Sequence, residues 1–67
     1  MESLAEALPK EQARVRRVLA IYKSIGPAGA FGAAFIEADL AAADRAVMSG
    51  DLVAMIQAFE TLKTIKE

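Results

Sequence analysis

The 67-residue chain holds no histidine and no cysteine. It therefore lacks the side chains most used as general base and as nucleophile near neutral pH. Ser24, Ser49, Thr61 and Thr64 are isolated hydroxyls that read as helix-end or surface groups. Glu37 and Asp44 lie seven residues apart, so on one helix they share a face but stand about 10 Å apart along the axis, too far to chelate one metal ion. No catalytic centre, metal site or cofactor is expected, and the chain reads as a non-enzyme.

One segment is unusual: Gly26-Pro27-Ala28-Gly29-Ala30-Phe31-Gly32. Where helical, each glycine costs roughly 1 kcal/mol relative to alanine, and something must offset that. Close packing is one explanation, with Gly29 and Gly32 admitting a neighbouring backbone and Gly26 serving as a helix cap. Anion binding is the other. If Pro27 opens a helix, the N–H groups of Gly26, Ala28 and Gly29 have no acceptor within it. A helix start with free donors and no obstructing side chains suits a phosphate. Tyr22 and Lys23, one turn upstream, would stack on a base and neutralise a phosphate. The candidate ligand-binding set is Tyr22, Lys23, Gly26, Ala28 and Gly29. The dinucleotide-binding fingerprint is a different arrangement, which requires a preceding strand.

Helices must position these groups, and the pattern predicts three of them, an all-α fold in one domain over residues 1–67. Ser3 and Glu6 fit a capping box in a short N-terminal arm, 1–8. Pro9 is expected to open helix 1, 9–25, because proline lacks the N–H that a helix interior needs. Val15, Val18, Leu19, Tyr22 and Ile25 form its apolar stripe, extended by Leu4 and Leu8 if the arm docks. Gly26-Pro27 ends that helix. Helix 2 is expected over 27–48, with Gly50 as its left-handed cap, and helix 3 over 52–66, with Asp51 as N-cap. Leu52, Met55, Ile56, Phe59 and Leu62 form the stripe of helix 3. The link Ser49-Gly50-Asp51 is so short that helices 2 and 3 make an antiparallel hairpin.

Helix 2 is apolar around most of its circumference. Ile36, Leu40, Ala43 and Val47 make one face, and Phe31 and Phe35 point roughly opposite. Ala30, Ala34, Ala38, Ala42 and Ala46 run in an unbroken row at steps of four. Such a helix is buried on most sides. Either helix 1 or 3 occupies the row, or helix 2 of another protomer does; the candidate interface set is Ala30, Ala34, Ala38 and Ala42.

Size points the same way. A chain this short buries only about 60% of its unfolded surface and is marginal as a monomer. Disulfides are excluded, which leaves self-association as the ordinary remedy. The composition is 55% hydrophobic with 6% aromatic residues, as befits an alanine-rich helical chain. Net charge is −1, without the basic excess of a dedicated nucleic-acid binder. Its distribution is uneven. Lys10, Arg14, Arg16, Arg17 and Lys23 face only Glu11 in helix 1, whereas Glu37, Asp39, Asp44 and Asp51 face only Arg45 further on. These faces either attract each other or present helix 1 to an anionic partner. A helix-turn-helix reading fails on helix 3, which has no arginine and carries Lys63 and Lys66 at the wrong end. The start Met1-Glu2-Ser3 lacks the basic residues of a signal peptide. The most apolar stretch, 25–36, is too short and too broken to span a bilayer. A cytoplasmic protein without a membrane or nucleic-acid partner is expected.

In size and architecture alone, the chain is similar to small self-assembling helical proteins of bacteriophages, including those that sequester nucleotide signals. No motif carries that likeness. The residues lead to a non-enzymatic, homo-oligomeric binding or regulatory protein that holds a phosphate-bearing small molecule or nucleotide at the start of helix 2, in a pocket completed by a second protomer. The alternatives are an interaction module, an inhibitor or adaptor presenting helix 1 or helix 2 to a larger protein, and a structural protein that binds only itself.

Overall fold

A computed structural model, describing residues 2–66, contains three helices: α1 Leu4–Ser24, α2 Pro27–Ser49 and α3 Leu52–Lys63. No strand occurs among the described residues. All three helices pack on one another, and the shared core holds Leu8, Val15, Val18, Ile36, Leu40, Ala43, Ala58 and Leu62.

The first helix departs from expectation at its start. The supposed arm, whose Met1 lies outside the described residues, is helical from Leu4, and Pro9 sits inside α1. A proline there forfeits one helix hydrogen bond and crowds the carbonyl of Ala5. The offset is visible. Leu8 is completely buried and Leu4 packs against the core, a gain of about 1.5–3 kcal/mol for one fully buried leucine. Pro9 itself faces outward, and Lys10 pairs with Glu2 across it. Ser3 takes the N-cap position, but its hydroxyl bonds Glu6 Oε1 at 3.2 Å rather than a backbone amide. The buried face of α1 is Leu8, Gln12, Val15 and Val18, and Ile25, the expected end of the stripe, is exposed.

The turn into α2 needs Gly26. Its φ of 84° lies in the region that side chains disfavour, and Pro27 follows as the first helical residue. At the far end Gly50 adopts the left-handed cap, φ 70°, and its N–H returns to the carbonyls of Ala46 and Val47. Asp51 caps α3 by accepting from the Ala54 N–H at 3.2 Å.

Two assignments of faces are corrected. Ile36, Leu40 and Ala43 are core as expected, but Val47 is exposed. In α3, which ends at Lys63 rather than residue 66, Leu52 and Ile56 are also exposed. The inward residues are Ala58 and Leu62, with Met55 and Phe59 partly buried. The first turns of α3 are apolar on all sides, so periodicity alone admits either wheel. Packing selected the one that puts small Ala58 in the shared core.

Charge complementarity holds the long pair of helices in register. Arg16 Nη2 bonds Asp44 at 2.9 and 3.0 Å, and Lys23 Nζ stands 3.5 Å from Glu37 Oε1. Gln12, the one buried polar side chain among the described residues, donates to Asp44 Oδ1 at 2.7 Å. The basic face of α1 and the acidic side of α2 thus meet within one chain. Arg14, paired with Glu11, also donates to the Leu62 carbonyl at 2.9 Å and links α1 to the end of α3.

Candidate functional site

The five residues grouped as a ligand site lie together at the α1–α2 turn, but most of their binding capacity is engaged. The Gly26 N–H donates to the Lys23 carbonyl at 3.2 Å, and the Gly29 N–H donates to the Gly26 carbonyl at 2.9 Å. Two of the three amides expected to be free are therefore used locally. Ala28 is exposed. The Lys23 ammonium is shared with Glu37. The Tyr22 ring lies along α2, so a Cβ on Gly32 would stand 2.7 Å from its Cε2 and 2.8 Å from its Cδ2.

Gly29 shows why this segment is rich in glycine. It is buried, and a Cβ there would sit 2.0 Å from the Tyr22 carbonyl oxygen and 3.0 Å from its carbon. The start of α2 crosses the end of α1 backbone to backbone, a separation that no side chain allows. Close packing thus accounts for Gly29 and Gly32, and the backbone turn accounts for Gly26. An anion arriving at this helix start would meet no side-chain cap and no acidic residue in the first turn.

The other candidate set behaves differently. Ala30, Ala34, Ala38 and Ala42 are all exposed, and only Ala46, at the end of the row, is buried. Neither α1 nor α3 covers the row. Beside it, Phe31 is 78% and Phe35 62% exposed, their rings meeting edge to face with centroids 5.1 Å apart. Together with Ala41 these residues form an outer face, opposite the core, that carries no charge before Arg45. A second apolar patch surrounds the α2–α3 hairpin, where Met48, Leu52, Val53 and Ile56 are exposed. Periodicity missed this patch by assigning Leu52 and Ile56 to the core.

Among the described residues there is no enclosed cleft, no group of three acidic side chains arranged to hold a metal, and no helix long and apolar enough to cross a membrane. No protein-family model, curated protein or solved structure matches the chain.

Proposed function

We propose that this chain is a non-enzymatic binding or regulatory protein that works as a homo-oligomer assembled through the outer face of α2. The observation that carries this reading is the exposure of Phe31 and Phe35 beside an uncovered row of alanines. Fully burying one phenylalanine is worth about 1.5–3 kcal/mol, so a water-exposed pair is a substantial unspent driving force. An uncharged apolar face of this kind is an interaction surface by default. The basic helix is a weaker candidate, because Arg16 and Lys23 already face acidic residues of α2.

The test is sedimentation at micromolar concentration. The expected mass is at least twice the 7.1 kDa of one chain. Ala38→Glu, which places a charge at the centre of the face, should return the protein to single chains with its helicity intact. A wild-type protein that sediments as a stable folded monomer overturns the proposal.

A phosphate-bearing small molecule at the start of α2 is the second reading, favoured by the uncapped, acid-free first turn. With the Gly26 and Gly29 amides engaged, it relies on Ala28 and on groups supplied by another protomer. A nucleotide that binds only the folded state raises the melting temperature and shifts the Ala28 amide resonance. If neither responds to any phosphate compound, this second reading falls.

A further inference from the structure

We infer that the partner on the outer face of α2 is a second copy of the same helix, running antiparallel and in a register centred on Ala38. The inference rests on the assembly proposed above and goes further by fixing direction and register. The face is Phe31, Ala34, Phe35, Ala38, Ala41, Ala42 and Arg45, which helical periodicity gathers on one side of α2, and every one of these residues is exposed. Its positions are symmetric about Ala38. Ala34 and Ala42 are each four residues from it, Phe35 and Ala41 each three, and Phe31 and Arg45 each seven. An isologous antiparallel pair brings such positions together.

Side-chain size favours this direction. The two phenylalanines lie in the N-terminal half of the face, and Ala41 and Ala42 lie in the C-terminal half. Antiparallel pairing sets Phe35 against the Ala41–Ala42 step of the partner copy at both ends, so one interhelical separation suits the whole seam. Parallel pairing sets Phe31 on Phe31 and Phe35 on Phe35. That forces the helices apart at one end and leaves the alanines without contact at the other, and such voids forfeit dispersion energy.

Charge favours it too. Arg45 has no ion pair among the described residues. Parallel pairing would put the two Arg45 side chains side by side. Antiparallel pairing separates them by about 20 Å, given the helical rise, and brings each to the Phe31 ring of the other copy, where a guanidinium is attracted to the aromatic face. The helix dipoles are opposed as well.

The absence of cysteine makes the test direct. Three single-cysteine variants, Ala34→Cys, Ala38→Cys and Ala42→Cys, are oxidised mildly, alone and in pairs, and their masses are followed by sedimentation before oxidation. Disulfides need Cα atoms about 4.4–6.8 Å apart, so they report register. The expected pattern is cross-linking of Ala38→Cys with itself and of Ala34→Cys with Ala42→Cys when mixed, but of neither of these two alone. Cross-linking of Ala34→Cys with itself indicates parallel pairing and overturns the inference while leaving the assembly standing. Dimeric mass without any of these disulfides places the interface elsewhere and also overturns it. Monomeric mass for all variants and for the wild type overturns the inference and the proposed function together.

Discussion

Substituting Gly29 by alanine should destabilise a protein that general helix propensity says it ought to strengthen. In an ordinary helix the change gains up to about 1 kcal/mol. Here the new Cβ would stand 2.0 Å from the Tyr22 carbonyl oxygen, whereas ordinary contact begins near 3.4 Å. The obstacle is backbone, so α1 and α2 must part by more than about 1 Å, and the close-packed core between them must loosen. Overpacking of this kind costs about 1–3 kcal/mol. Subtracting the propensity gain leaves a net loss of up to about 2 kcal/mol, against a total of roughly 3–10 kcal/mol for a domain of this size. Gly32→Ala is the matched control. Its Cβ would meet the Tyr22 ring at 2.7 Å, a side chain rather than backbone, so the ring can give where the Tyr22 carbonyl cannot and the loss should be smaller than for Gly29→Ala. Urea melts of the three proteins at one concentration, followed by far-ultraviolet circular dichroism, give the comparison, with unchanged slopes required to read the midpoints as stability. If Gly29→Ala equals or exceeds wild type, or if Gly32→Ala is the more damaging change, the backbone-to-backbone crossing is not what this glycine serves.

Three further outcomes follow from the packing. Leu8→Ala should lose about 2–5 kcal/mol, because Leu8 is completely buried; a melt unchanged from wild type would show that the first turns of α1 are undocked. Pro9→Ala should raise the melting temperature, by restoring a helix hydrogen bond and relieving a clash worth up to about 3 kcal/mol; a fall would mean that the ring makes a contact the helix needs. Leu62→Ala should cost more than Phe59→Ala, since Leu62 is completely buried and Phe59 only partly; the reverse order in urea melts would restore the helix 3 wheel read from periodicity.

What could be read in advance was what local chemistry dictates. Gly26-Pro27 and Ser49-Gly50-Asp51 announce two helix boundaries with a mechanism each, and both fall at the expected places. The inward face of α2 around Ile36, Leu40 and Ala43 was legible because apolar residues recur there at helical steps. Pro9 misled because a local penalty was outweighed by tertiary burial of Leu8, which no window of sequence displays. The α3 wheel misled because Leu52, Val53, Met55 and Ile56 surround the helix, leaving packing alone to choose. At the candidate ligand site, the need for glycines was legible but their partner was not. That the Tyr22 carbonyl fills the space beside Gly29 depends on the angle at which two helices cross.

The attachment of α3 has a kinetic consequence. Of its twelve residues only Ala58 and Leu62 are buried, and both lie in its second half. There Leu62 is also tied to α1 through the Arg14 guanidinium, whereas the opposite end is held by the partly buried Met55, the Asp51 cap and the short hairpin. Such an element opens below the cost of global unfolding. Its amides should exchange with solvent in a gradient, fastest near Val53 and slowest near Leu62, while those in the middle of α1 and α2 exchange only when the whole chain unfolds. The same asymmetry predicts that α1 and α2 are the first pair to lock during folding, which folding and unfolding rates of Val15→Ala and Leu62→Ala would check. Because the buried residues of α3 lie in its second half, a protease encountering the native state should cut first just after Gly50.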